Sequence, residues 1–373
     1  MKKIVFNTDS LILGGAEKIA LDYVAILSKK YEVELLINED NGAGNKLIES
    51  IPKNVKYRYV VSKETIEKIN RYRDKKKNIL YKILYSYFLK KRRAEYKKNI
   101  VQILKDMEYD YLFDFYCKIP IESLDQRAIT FLHSSLGELK DKKRKELQKR
   151  FDAVGKIIVV SDSLKNEVQK NFKEYNSKLK RIYNFFDFKK LKELSKEKIE
   201  YEKKYILACS RLDKNKDLIT LIKAFKSIES KVEESLYIVG DGPEYKNINN
   251  FIKENRCEDK VKMIGQQSNP YKWMKNCELF VHSSKREGFG MVLVEAMSFG
   301  KNVVATDCPI GPSEILGEGR YGELVSVGDW KKLGESLVIS LEKKSRFNED
   351  NIDRALEFSK ENIEEEIYNL IGE

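Results

Sequence analysis

Short apolar runs alternate along the chain with longer stretches whose apolar residues return every three or four positions. The runs KIVFNT (3–8), EVELLI (32–37), VKYRYV (55–60), YLFDFY (111–116), AITFLH (128–133) and KIIVVS (156–161) form one strand-like set. YILACS (205–210), SLYIVG (235–240), VKMIGQ (261–266), ELFVHS (278–283) and NVVATD (302–307) form another. Between them, 16–29, 217–230, 244–255, 292–299 and 330–343 carry the helical period. Strand, helix, strand in succession predicts parallel sheets covered on both faces. Two such sets predict an α/β chain of two Rossmann-like domains, over 1–187 and 204–355, joined by a polar linker at 188–203. Open sheets of this kind bind ligands beyond the carboxyl ends of their strands, so two of them with loaded loops predict an interdomain cleft.

Composition narrows the class. The chain has 373 residues, 42% hydrophobic and 35% charged, enough for two cores. No apolar run reaches the length of a bilayer-spanning helix. The opening MKKIVFNTDS is interrupted by Asn7 and Asp9 and reads as a first strand, not a signal peptide. Five scattered cysteines without C-x-x-C predict free thiols in a reducing cytosol and no metal site.

The net charge of +12 is unevenly spread. Residues 1–200 hold 45 Lys and Arg against 29 Asp and Glu, and residues 51–100 alone hold 17 against 4. That skew predicts an anionic partner for the first half. On a helix, Ile79, Leu80, Ile83, Leu84, Tyr87 and Phe88 of the basic stretch 72–98 share one side. Such a helix either lies on an anionic membrane or packs its apolar face on its own domain; ELKDKKRKELQKR (138–150) adds further charge.

Residues with candidate chemistry follow the strands. SRLDKNKD puts Arg211 and Lys216 just past one strand, where they either hold a diphosphate and stabilise it as a leaving group or are solvated loop cations. No D-x-D pair stands at a strand end to hold a divalent metal. In SSKREGFGMVLVEAMSFG (283–300), Gly290 opens a helix whose first N–H groups, on Met291, Val292 and Leu293, are donors for a phosphate. Glu287 and Glu295 flank that entrance and can accept hydroxyls of a sugar and a ribose; Glu295 also reads as an acid favouring the helix dipole. Gly14 and Gly15 permit a tight turn before a helix but form neither a G-x-G-x-x-G nor a Walker pattern. His133 ends a strand as a candidate sugar contact; His282, inside a strand, reads as structural.

Together these motifs resemble glycosyltransferase family 4, retaining enzymes of GT-B fold. The matching segments are GGAEK (14–18), YNFFD (183–187), SRLDKNKD (210–217), VGDGPEY (239–245), IGQQSNPYKWMKNCELFVHSSKREGFGMVLVEAMSFG (264–300) and TDCPIGPSEIL (306–316). Glu287 and Glu295 supply the family's E-x7-E pattern. The resemblance implies a nucleotide-sugar donor held mainly by the second domain. Arg211 and Lys216 would hold its diphosphate, Glu295 its ribose and Glu287 its sugar. Ser210 and Gly240 belong to the same donor loops. Gly265 and Gln266 would border the base, and Phe289 to Leu293 would supply backbone contacts. Gly15 would approach the diphosphate and His133 the transferring sugar. Two departures stand out: Ser210 where relatives often have Gly before the Arg, and YNFFD, where Pro is common after the Asn.

The implied reaction is a front-face transfer in which the leaving phosphate oxygen takes the acceptor proton. No cofactor is implied beyond the donor, expected to be a UDP-hexose or UDP-N-acetylhexosamine. The expected partners are a polyprenyl-diphosphate-linked saccharide or glycan and the anionic inner face of the cytoplasmic membrane, with no nucleic acid. The first domain would then be the acceptor domain, with a C-terminal helix at 356–373 packing back on it. A UDP-sugar epimerase, or a non-catalytic basic binding protein, are the alternatives. The second leaves Arg211, Lys216, Glu287 and Glu295 unexplained.

Overall fold

The computed structural model describes residues 1–12, 14–73, 75, 78–137, 139–199, 204–343 and 348–372. Residues 200–203 of the expected linker, Glu138 at the head of the 138–150 pattern, and Asp74, Lys76 and Lys77 of the basic stretch lie outside the described residues.

The first seven strands are β1 (Lys3–Thr8), β2 (Glu32–Glu39), β3 (Lys56–Val61), β4 (Tyr111–Asp114), β5 (Ala128–Leu132), β6 (Lys156–Val159) and β7 (Leu179–Arg181). They form one parallel sheet in the order β3-β2-β1-β4-β5-β6-β7. The next six are β8 (Tyr205–Cys209), β9 (Ser235–Val239), β10 (Val261–Gly265), β11 (Leu279–His282), β12 (Val303–Thr306) and β13 (Glu323–Val325). They form a second parallel sheet in the order β10-β9-β8-β11-β12-β13. Both orders reverse direction once, between β1 and β4 and between β8 and β11. Those reversals open the crevices in which doubly wound sheets take ligands.

Helices cover both faces, so central strands are apolar throughout and not alternating. Strand β5 is buried at every residue, as is β9. In the first sheet the core is aromatic: Phe6 stacks on Phe113 at 5.5 Å, and Phe115 meets Phe131 at 5.1 Å. In the second it is aliphatic, with Ile206, Leu236, Ile238 and Val281 packed against Leu221, Phe225, Leu333 and Leu337. Each such side chain contributes about 1.5–3 kcal/mol of burial.

Contacts divide the chain into two compact units. Unit 1 comprises residues 1–160, 168–182 and 364–373; unit 2 comprises 161–167 and 183–363. The end of the chain is tied into unit 1 by Tyr111, whose hydroxyl donates to the Ile371 carbonyl at 2.8 Å, and by Tyr368, which donates to the Ile26 carbonyl at 3.1 Å. Residues 161–167 join unit 2 through Glu314. Its carboxylate accepts from the Asp162 and Ser163 amides at 2.7 and 2.9 Å, capping the helix Asp162–Asn171.

The basic stretch is two helices, Lys63–Arg73 and Ile79–Asp106, not one. Its apolar face divides. Phe88, with Tyr85 and Leu89, packs on Val61, Ile66 and Ile69. Ile79, Leu80, Ile83 and Tyr87 stay exposed, at 72, 59, 60 and 58%. Asn78 starts the long helix by accepting from the Leu80 amide. No helix among the described residues is long and apolar enough to cross a membrane.

Candidate active site

The switch point of the second sheet, between β8 and β11, brings Lys216 and Glu287 together. The turn after β8 carries Ser210, Arg211 and, in a 3-10 turn, Lys216. The loop after β11 carries Ser283 to Gly290. Two hydrogen bonds lock these loops together: Ser283 Oγ donates to the Lys216 carbonyl at 2.7 Å, and the Lys285 amide to the Asn215 carbonyl at 2.6 Å. Thr306, ending β12, donates to the Ser284 carbonyl at 2.6 Å. The side chains of Lys216 and Glu287 meet because the backbone beneath them is fixed.

Lys216 Nζ lies 2.5 Å from Glu287 Oε1, and His282 Nε2 lies 2.8 Å from the same oxygen. His282 is the last residue of β11 and only 3% exposed. A carboxylate only accepts, so His282 Nε2 carries the proton and donates. Burial disfavours charge on Glu287. The hydrogen bond and charge of His282, with those of Lys216, outweigh it and hold the carboxyl well below its ordinary range. Glu287 is therefore an ionised acceptor at neutral pH. The strand pattern alone reads His282 as structural; the signal in the sequence that it touches Glu287 is its place five residues earlier, at a strand end.

Arg211 does not join this cluster. Its guanidinium is 73% exposed and pairs with Asp213, at 2.6 Å from NH2 and 2.9 Å from Nε. Glu295 sits one turn into the helix Met291–Met297, buried, with its Oε1 accepting from the Tyr271 hydroxyl at 3.2 Å. Of the three expected first-turn donors, Leu293 is already used: its amide donates to the Gly290 carbonyl at 2.9 Å. Gly290, at φ +102°, is the N-cap, whose carbonyl accepts the first bond of the helix. The amides of Met291 and Val292 are the remaining first-turn donors. The Phe289 ring is buried against Tyr183 and Phe358, and its carbonyl packs on Gly311, where a Cβ would stand 1.8 Å from the oxygen.

Gly240 and Gly265 meet at the ends of β9 and β10, where the Gly240 amide donates to the Gly265 carbonyl at 2.9 Å. Gly240 is required: its φ is +144°, and a Cβ would stand 1.9 Å from the Ser210 carbonyl oxygen. Gly265, at φ +81°, faces open space, and Gln266 beside it is exposed.

In unit 1, Gly15 begins the helix Gly15–Leu27. Gly14 is extended (φ −150°), a backbone conformation open to any residue. His133 follows β5, with Nε2 2.7 Å from the Phe115 carbonyl. That carbonyl only accepts, so Nε2 carries the proton and Nδ1 is left as an acceptor. Burial pushes the His133 pKa down to about 4, against the opposing hydrogen bond, and the ring is neutral at physiological pH. Among the described residues no cluster of three His, Cys, Asp or Glu suits a metal ion.

Residues 189–357 match the family model for glycosyl transferases group 1. Over 354 residues the chain is 28% identical to N-acetylgalactosamine-N,N'-diacetylbacillosaminyl-diphospho-undecaprenol 4-alpha-N-acetylgalactosaminyltransferase of Campylobacter jejuni, covering 92% of this chain and 91% of that one. It is 32% identical over 188 residues to N-acetyl-alpha-D-glucosaminyl L-malate synthase of Bacillus anthracis, 49% of each chain. Anabaena Alr3699/HepE in complex with UDP superposes with a TM-score of 0.73 at 22% identity, covering 100% of this chain and 99% of that one. The fold is GT-B, and residues 189–357 are similar to the glycosyl transferases group 1 family.

Proposed function

We propose that the protein is a retaining, family 4 glycosyltransferase that moves a hexose or N-acetylhexosamine from a UDP-sugar to a lipid-diphosphate-linked saccharide or another glycan in surface-glycan synthesis. The observation that carries this reading is the ionised Glu287 held by Lys216 and His282 at the switch point of the second sheet. An ionised, acceptor-only carboxylate suits the neutral hydroxyls of a sugar, and the adjacent ammonium suits the diphosphate that leaves. Glu295 takes the ribose hydroxyls, and the amides of Met291 and Val292 serve the phosphate. Arg211 reaches the diphosphate by leaving Asp213. In a front-face transfer the departing phosphate oxygen takes the acceptor proton while the sugar carbon passes to the acceptor oxygen. No protein nucleophile is needed, and Lys216 and Arg211 take the place of a metal. His133, neutral and with a free Nδ1, accepts a hydrogen bond from a sugar hydroxyl, and Gly15 gives the diphosphate close approach to the backbone.

The donor and acceptor classes draw support from the relatives. The Campylobacter protein is named for transfer to a diphospho-undecaprenol-linked saccharide, and HepE was solved with UDP. The long helix of unit 1 supports work at the cytoplasmic face of an anionic membrane: exposed Ile79, Leu80, Ile83 and Tyr87 lie among Lys82, Lys90, Lys91 and Arg93. A panel of UDP- and GDP-sugars read by thermal shift, then by turnover with a polyprenyl-diphosphate saccharide in the presence of EDTA, tests the reading. Acceptor-dependent release of UDP is expected. Turnover of the sugar without an acceptor would make the protein an epimerase instead. Flotation with anionic and neutral vesicles tests the membrane: binding only to anionic vesicles and lost in high salt is expected, and equal, negligible flotation overturns it.

A further inference from the structure

Glu287 is held twice on one oxygen. Lys216 Nζ and His282 Nε2 both reach Oε1, at 2.5 and 2.8 Å, and among the described residues nothing donates to Oε2. The two donors differ in kind. Lys216 is a point charge on a flexible four-carbon stem, 20% exposed, with three protons to direct. His282 is a rigid ring at 3% exposure, fixed at the last register position of β11, opposite Ala305 of β12. On the reading above, Lys216 must also serve the departing diphosphate. A donor shared in that way cannot alone keep the carboxylate in place through turnover. We propose that His282 is a positioning residue for transfer: it anchors Glu287 by Oε1 so that Oε2 stays aimed at the hydroxyls of the donor sugar when Lys216 turns to phosphate. This rests on Glu287 being the residue that receives the sugar.

The division of labour separates the sugar from the nucleotide. UDP lacks the sugar, so its affinity is independent of His282; the UDP-sugar turned over best in the panel is not. His282→Leu removes the donor and is expected to lower kcat/KM for that UDP-sugar about 10-fold, the size of one charge-assisted hydrogen bond, with Kd for UDP unchanged. His282→Gln keeps an N–H donor and restores most of the loss. Should the leucine variant not fold, His282→Asn, polar but too short to reach Oε1, takes its place. In a Glu287→Gln background, His282→Leu adds no further loss, because the anchored carboxylate is gone. The proposal is overturned if His282→Leu turns over like the wild type, or if it loses UDP affinity and turnover in parallel and the glutamine variant does the same. If Glu287→Gln itself retains full turnover, the reading of Glu287 fails instead.

Discussion

The two units share a strand order and a switch point, yet treat acids there in opposite ways. In unit 2 a single carboxylate, Glu287, has two donors on one oxygen and stays ionised although burial opposes it. In unit 1 the carboxyl ends of β1 and β2 and the first helical turn bring Asp9, Glu39 and Glu17 together, served by Lys118 and Arg92. There burial wins. It raises Glu17, with the charge of Asp9 adding to it, and it raises Glu39 against the opposing charge of Arg92. Burial shifts His133 too, lowering it to about 4. Topology therefore selects where polar residues gather, and the balance of donors against burial and neighbouring acids sets the direction in which each carboxyl shifts. The fixed negative charge suited to polarised sugar hydroxyls is in unit 2.

The largest test of that contrast is turnover. Glu287→Gln is expected to lower kcat/KM by about 100-fold or more, and Lys216→Met by a similar factor, with the double variant little worse than either. Glu39→Gln in unit 1, measured beside them with the same donor and acceptor, should cost a small part of that. Equal losses in the two units would break the comparison.

The next test is structural, and again sets one unit against the other. Gly240→Ala drives a Cβ to 1.9 Å from a backbone oxygen at a left-handed φ, so neither partner can yield cheaply. A loss of about 2–4 kcal/mol is expected in the melting of unit 2. Gly14→Ala in unit 1 meets only the far end of the Glu17 side chain, 2.2 Å from Oε2, on extended backbone. That side chain can swing away, and the change should stay within about 0.5 kcal/mol. A Gly14 variant as unstable as the Gly240 variant would show that the first turn is the tight one after all.

Most of this architecture was legible in the chain because its central strands are buried on both faces and stand out as apolar runs. The two strands without such a run, Leu179–Arg181 and Glu323–Val325, are three residues long and lie at sheet edges, where few side chains must be apolar. Glu287 and Lys216 were legible as residues but not as a pair, since 71 positions separate them and only the loop hydrogen bonds bring them together. His282 was hidden by its strand, whose pattern explains a buried side chain without asking what its ring nitrogen touches. The division of the helix's apolar face was hidden too: Phe88 and Tyr87 are adjacent aromatic residues, and the packing of Val61, Ile66 and Ile69 under one of them tells them apart.

The smallest expected effect is the most direct probe of charge, because its sign differs between the units. A carboxyl raised in the native state binds more protons there than in the unfolded chain, so its contribution to stability falls as pH rises from the ordinary carboxyl range through the native value. Glu17 is such a group. Glu17→Gln should therefore be more stable than the wild type at pH 8, by about 1 kcal/mol or less, with the advantage fading as pH falls through the raised native value and gone below about 4.3. Glu287 is lowered instead. Its contribution is present above the ordinary carboxyl range and fades on acidification, so Glu287→Gln should be less stable than the wild type at pH 8 and converge with it in acid. Thermal melts of both variants from pH 8 down to the acid limit of solubility read the two signs. If both substitutions shift the melt in the same direction at pH 8, the acids at the two switch points are not in opposite electrostatic states, and the assignment of the sugar to unit 2 loses its physical ground.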